Sequence, residues 1–228
     1  MAKDLAIVLN SGSINSVVAT ALAAQRYRPI LLHALRGSTQ ADANDMPSRA
    51  RVAFDQQVAH FKPYREHTLA MPFLSLLNVP PPKTSANSSE PRQVPSEAPR
   101  MLELLPLLAA AGRFAAYYQV SAIYLGLRVG VNVDELAQAT EYVQIWTDLL
   151  QLPCGLGEIE LIAPLMELEP WQVVDLAFQV NAPLERTWSC ANDAGEPCWA
   201  CRECRARETA FQRAGKPDPI RGSAARAK

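Results

Sequence analysis

Four cysteines within fifteen residues constrain this chain more than any other feature. They are Cys190, Cys198, Cys201 and Cys204 in TWSCANDAGEPCWACRECRARETAFQRAG, spaced C-x7-C-x2-C-x2-C. A two-residue gap lets a tight turn aim two thiolates at one ion, and zinc takes four soft ligands at tetrahedral corners. Cys198 and Cys201 can do this from a turn. Cys204 follows from the first turn of a helix, and Cys190 closes the site from the preceding loop. Four thiolates leave no open coordination position, so the expected zinc is structural and not catalytic. Disulfides are disfavoured in a chain read as cytoplasmic. A redox C-x-x-C pair would leave the other two cysteines unexplained. Cys154, isolated in QLPCGLG, reads as a structural thiol.

A zinc ribbon that grips nucleic acid is the competing reading of the cluster. Arg202, Arg205, Arg207 and Arg213 lie around it, but Glu196, Glu203 and Glu208 are interleaved. The whole chain carries a net charge of −1. That balance offers no field for a phosphate backbone, so no nucleic-acid partner is expected.

Upstream, strand-length apolar runs alternate with helical patterns. Strands are expected over 5–9, 30–34, 67–71, 122–126 and 159–163. Helices are expected over 16–26, 49–61, 101–118, 134–150 and 169–180, with Pro106 kinking or restarting the third. The helix over 49–61 places Val52, Val58 and Phe61 on its apolar side, and Pro170 suits the first turn of the last helix. Residues 37–47 are polar and turn-rich and read as a loop. The Pro-rich stretch 75–99 contains PPPKTSANSSEPRQVPSEAP, which forbids a packed element. This order predicts an α/β fold, a parallel five-stranded sheet sandwiched by helices. The expected division is 1–186 for that unit and 187–228 for a zinc-binding C-terminal extension.

In such sheets ligands sit beyond the carboxyl ends of the strands. The segment AIVLNSGSINSVVATALA puts a Gly/Ser turn at one of those ends, just before a helix. Loop N–H groups and serine hydroxyls at a helix start suit a phosphate. A plain strand-to-helix turn capped by Ser or Asn explains the same residues. The most apolar segment, 101–118, is interrupted by Glu103, Pro106 and Arg113 and is too short to span a bilayer. MAKDLAIVLN has no signal-peptide pattern, so a soluble cytoplasmic protein without a membrane partner is expected.

The stretch APLMELEPWQVVDLAFQVNAPLERTWSC, with the cysteine block after it, resembles the C-terminal half of the 7-cyano-7-deazaguanine synthase family over residues 163–215. AIVLNSGSINS is similar to that family's strand and SGGxDS loop. The resemblance implies an adenine-nucleotide alpha-hydrolase-like fold, a homodimer and an ATP-dependent reaction. In that reaction ATP adenylates the carboxylate of 7-carboxy-7-deazaguanine, ammonia gives the amide, and a second ATP drives nitrile formation. By position, Ser11, Gly12 and Ser16 match the family's serine, first glycine and final serine. Ser13 stands where the second glycine belongs, and Asn15 where the aspartate belongs. A neutral Asn15 holds magnesium less well than a carboxylate.

Other segments depart further. HALRGSTQADANDMPSRARVAF lacks the family's YGQRH-like stretch. VPSEAPRML keeps Val94 and Pro95 of the VPxRN segment but has Glu97 and Ala98 where arginine and asparagine belong, with Arg100 three residues away. LRVGVNVDELAQATEYVQIW keeps Asp134 and Glu141 and lacks the cysteine and arginine of the YPDCR-type loop. Read in isolation, Asp134 is a helix N-cap and Glu141 a surface charge. Two readings follow: an ATP-dependent C–N ligase with altered loops acting on a 7-deazapurine-like acid, or a catalytically inactive paralogue serving as a zinc-stabilised binding or scaffold subunit. The expected nucleotide-binding residues are Ser11, Gly12, Ser13, Asn15 and Ser16, for weakly held ATP and magnesium. The expected metal ligands are Cys190, Cys198, Cys201 and Cys204, for zinc.

Overall fold

Ala6, Ile7 and Val8 are fully buried because the strand that carries them lies at the centre of a sheet with both faces covered. A computed structural model of the chain describes residues 4–35, 48–76, 98–192 and 195–224. Five strands, β1 (Leu5–Leu9), β2 (Arg28–Leu35), β3 (Arg65–Ala70), β4 (Ala122–Leu125) and β5 (Glu160–Ile162), form a parallel sheet in the order β3-β2-β1-β4-β5. Side chains alternate across β1. Ile7 and Leu9 join Leu108, Ala111, Ile123 and Leu150 on one face. Ala6 and Val8 join Ala23, Leu31, Phe54 and Tyr124 on the other.

The helices that cover these faces are α1 (Ile14–Arg26) and α2 (Arg49–Phe61) on one side, and α4 (Ala98–Tyr118) and α5 (Val133–Gln151) on the other. A short α3 (Phe73–Leu76) follows β3. The chain first winds outward from β1 to β2 and β3, then returns to place β4 and β5 on the other side of β1. The β1/β4 junction is therefore the point where the direction of winding switches, the usual place for a crevice. After β5 come α6 (Pro170–Gln179), a single 3-10 turn at Leu184–Arg186, α7 (Arg202–Ala214) and α8 (Pro219–Ala224). Ala210 and Phe211 of α7 share a core with Val17 and Val18 of α1 and Val173, Val174 and Ala177 of α6.

Several sequence expectations shift. β2 and β3 begin two residues earlier than expected, because Arg28 and Arg65 already pair with their neighbours. One helix continues through Pro106 from Ala98 rather than restarting there. α2 turns Ala53, Phe54 and Gln57 inward, while Val52 and Val58 are only partly buried. Asn132, not Asp134, caps α5, its side chain accepting from the Asp134 and Glu135 N–H groups. The expected loop at 37–47, and the Pro-rich stretch apart from its first two and last two residues, lie outside the described residues; the stretch's first two belong to α3 and its last two to α4. Among the described residues no helix is long and apolar enough to cross a membrane.

Candidate functional site

The loop between β1 and α1 closes on itself through serines. The hydroxyls of Ser11, Ser13 and Ser16 lie 3.1–3.5 Å apart. Ser13 is the N-cap of α1, and its hydroxyl accepts from the Ser16 N–H at 3.5 Å. Its φ of −83° is ordinary extended backbone, so the side chain at this position needs none of glycine's freedom. The glycine requirement falls instead on Gly12, at φ +82°. A Cβ there would sit 2.6 Å from the Ala50 carbonyl oxygen of α2. Gly126, just after β4, is equally confined: its Cβ would meet Asn15 C at 2.8 Å and Ser16 N at 2.9 Å. The carboxyl end of β4 thus presses directly on the start of α1. Asn15 is half-buried there, next to the exposed edge where Ser11 opens to solvent.

Beneath the loop lies a buried polar network. The Asn10 amide donates to Thr20 Oγ1 at 3.0 Å and to Gln57 Oε1 at 2.8 Å, and its oxygen accepts from the Gly12 N–H at 2.8 Å. Gln57, with no exposed surface, donates from Nε2 to the Gly12 and Arg186 carbonyls. His33 Nδ1 lies 2.8 Å from the Asn10 carbonyl, and its ring stacks on Phe54. Burial holds the His33 pKa below its ordinary value, with the bond to Asn10 opposing, Arg51 lowering and Asp55 raising it. A neutral ring with the proton on Nδ1 is the tautomer that can donate to that carbonyl.

The four cysteines converge. Their Sγ atoms all lie within 4.8 Å of one another, with Cys190 to Cys198 at 3.5 Å and Cys190 to Cys201 at 4.0 Å. Zn–S bonds of about 2.3 Å in a tetrahedron put sulfurs about 3.8 Å apart, so the donor set fits a single tetrahedral ion. Cys201 is the N-cap of α7, and backbone N–H groups of Asn192, Cys198, Cys201 and Cys204 point at cysteine sulfurs at 3.3–3.4 Å. The N–H groups of Ala200 and Cys201 and the Cys190 side chain pull the Cys198 thiol down to about 6. Burial and its sulfur neighbours push Cys204 up to about 12. Four anionic sulfurs in so small a space need a cation, and a divalent metal supplies the charge that displaces the remaining protons. Cys154 stands apart and exposed.

The segment between the 3-10 turn and the cysteines is anchored at both ends. The Trp188 N–H donates to the Gly12 carbonyl at 2.9 Å. Arg207 of α7 is buried and pairs with both carboxylate oxygens of Asp218 at 2.6 and 2.8 Å, and also donates to Thr187 Oγ1 at 2.8 Å. The β1–α1 loop, the four-cysteine cluster and the strap between them form one connected unit.

A model of the family described as "Queuosine biosynthesis protein QueC" matches residues 5–215. The chain belongs to the QueC family. Among its QueC-family relatives, the 7-cyano-7-deazaguanine synthase of Acidobacterium capsulatum is 28% identical over 229 residues, covering 96% of each chain. A synthase of the same name from Aliarcobacter butzleri is 47% identical over 64 residues, 28% of each chain. Among solved structures, U34-tRNA thiolase NcsA from Methanococcus maripaludis aligns over 92% of this chain and 64% of that one, with a TM-score of 0.43 and 13% identity. NAD+ synthetase from Burkholderia pseudomallei aligns over 98% and 79%, with a TM-score of 0.42 and 14% identity.

In this QueC-family chain, the structure brings Ser11, Gly12, Ser13, Asn15 and Ser16 into one turn, and the four cysteines into one cluster. Arg128 follows Gly126 by two residues, on the same carboxyl edge as the loop. Glu141 is exposed on α5. His33, Gln57 and the Arg207–Asp218 pair escaped the sequence reading. A glutamine among inward-facing Ala53, Phe54 and Phe61 at helical spacing was the available signal for Gln57.

Proposed function

We propose that this QueC-family chain binds the phosphates of ATP weakly at the Ser11–Ser16 turn, holds a structural zinc at its four cysteines, and no longer forms the nitrile from 7-carboxy-7-deazaguanine. The observation that carries this reading is the composition of an otherwise well-built loop. Serine hydroxyls and helix-start N–H groups suit phosphate. Asn15 is neutral where a carboxylate would help hold magnesium. The arginines that would meet a carboxylate substrate are absent from their matching positions. Each lost charge-assisted contact weakens binding by about 1.5–3 kcal/mol. Two or three such losses in a transition state slow adenylation by several powers of ten. The chain then serves as a binding or scaffold subunit for a nucleotide or a 7-deazapurine-like molecule.

Calorimetry with ATP and magnesium is expected to show weak binding, abolished by Ser11→Ala combined with Ser16→Ala. A chromatographic assay for the nitrile is expected to show no product. Robust turnover would favour the second reading, an active ligase in which Arg128, on the loop's own edge, replaces a lost cation. Substitution of Arg128 then decides whether it does so.

We also propose that the protein is a homodimer, as the resemblance implies. Val133, Ile145 and Leu152, on and just after α5, are 77%, 57% and 85% exposed, which leaves apolar surface for a partner to cover. Light scattering at micromolar protein is expected to give the dimer mass, and a monomer mass that persists on concentration contradicts it. The charge balance supports no nucleic-acid partner.

A further inference from the structure

The Gly12 carbonyl accepts two hydrogen bonds from outside its own loop: the Trp188 N–H at 2.9 Å and Gln57 Nε2 at 3.2 Å. The backbone has no cis peptide bonds among the described residues. In a trans peptide, the N–H of the next residue points opposite to the carbonyl. Holding the Gly12 oxygen against buried groups therefore turns the Ser13 N–H away from them, at the positive end of α1. The Asn10–Ser11 peptide, two earlier in the chain, is treated alike. The Asn10 carbonyl is held by buried His33 at 2.8 Å, which turns the Ser11 N–H outward. Among the described residues, neither of these two N–H groups has an acceptor. Two inward carbonyls thus present two outward amides beside the serine hydroxyls, an arrangement suited to an anion.

Gln57 does more than hold one oxygen. Its Oε1 accepts from the Asn10 amide, and its Nε2 donates both to the Gly12 carbonyl and to the Arg186 carbonyl at 2.8 Å. Arg186 in turn donates from Nη1 to the Gln56 carbonyl at 3.2 Å. Four residues after Arg186 comes Cys190, the first ligand of the cysteine cluster. One fully buried amide therefore joins the phosphate loop, α2 and the strap that leads to the metal.

We infer that Gln57 is a positioning residue: it aims the Ser13 amide at a bound phosphate, and it makes that aim depend on whether the metal-bound strap from Arg186 to Cys190 is in place. This rests on the phosphate-binding reading for the identity of the ligand, though not for the mechanical link. Its consequence is reciprocal. Losing the metal weakens phosphate binding, and bound phosphate tightens metal binding by the same factor.

The test is hydrogen–deuterium exchange on the full metal-loaded chain, before and after chelation, for the wild type, Gln57→Met and Val58→Ala. In the wild type, chelation is expected to speed exchange of the Gly12 and Ser16 amides, which are bonded to Asn10 Oδ1 and Ser13 Oγ, by about tenfold, the equivalent of one hydrogen bond. In Gln57→Met, the loop is expected to exchange at that faster rate with metal still bound, and chelation adds little. Val58→Ala, a packing change one residue along α2, is expected to keep the wild-type response, which a purely structural role for Gln57 would not predict. If Gln57→Met fails to fold, Gln57→Leu carries the same comparison, since an alkyl side chain cannot donate to either carbonyl. ATP titration of the metal-loaded proteins is expected to show about tenfold weaker binding for the Gln57 variant. A wild type that binds no ATP would overturn the ligand assignment while the exchange data still decide the link. Wild-type exchange and chelation response in the Gln57 variant overturn the proposal.

Discussion

Cys204→Ser is expected to release the metal and to unfold residues 187–214. Cys204 is buried in the first turn of α7, and all four sulfurs lie within 4.8 Å, so one weak ligand disrupts the whole set. Structural zinc contributes on the order of 10–16 kcal/mol to the folding of zinc-finger peptides. That matches or exceeds the total stability of a typical domain, about 5–15 kcal/mol. Apart from Cys190, no described residue between Ser189 and Cys201 is buried. The damage spreads further, because Ala210 and Phe211 belong to the core that covers α1 and α6. Elemental analysis is expected to fall from near-stoichiometric zinc to near none, with exchange protection lost across the strap. Exposed Cys154→Ser serves as the control and leaves both unchanged. A Cys204→Ser chain that is metal-free yet fully ordered through α7 would falsify the structural role.

Asp218→Ala is expected to be the costliest single substitution that leaves the cysteines intact. Asp218 and Arg207 are 6% and 4% exposed at their side chains, and the pair is bidentate. Removing the carboxylate leaves a guanidinium buried against Thr187 and the Leu184 carbonyl without its counter-charge. Breaking a buried pair in this way costs about 3–5 kcal/mol. For a chain of this length that lowers the melting temperature by on the order of 10 °C. The same carboxylate accepts from the Ile220 N–H, so α8 loses one of its attachments and keeps the Arg221–Glu208 pair. Replacing both partners, Arg207→Met with Asp218→Leu, is expected to recover most of the loss, since two matched apolar groups leave no charge stranded. Thermal unfolding of the two variants checks both statements. Equal melting temperatures for Asp218→Ala and the wild type would show that the pair contributes nothing.

The fold was legible where burial on both faces imposes continuous apolar runs. LAIVL and AIYL are such runs, and the structure places both at the heart of the sheet. The edge strands were less legible, because REHTLA is polar and only half covered. The cysteine cluster could be read from spacing, since a metal imposes its geometry on the chain locally. The network beneath the β1–α1 loop could not be read in the same way. Asn10, His33 and Gln57 are far apart in sequence, and each is an ordinary polar residue until the fold brings it under the loop. The same holds for Arg207. Among Arg202, Arg205 and Arg213 it read as one more charge on a solvated face, yet α7 turns it inward. Periodicity identifies which residues are apolar and inward. It does not identify a polar residue that turns inward because a partner waits there.

The placement of β1 has a consequence for how the protein is made. Of the five strands β1 is synthesised before the rest, yet it needs β2 on one side and β4 on the other, pairing Ile7 with both Ile30 and Ile123. The nascent chain must therefore carry a fully apolar strand with one unpaired edge until β4, at Ala122–Leu125, has been synthesised. Such late, distant pairing is intrinsically slow and exposes partly formed sheets to association. Slower translation through the region before β4 lengthens that exposure, so codon usage there bears on the yield of soluble protein, and a chaperone that shields strand edges acts before β4 emerges rather than after release.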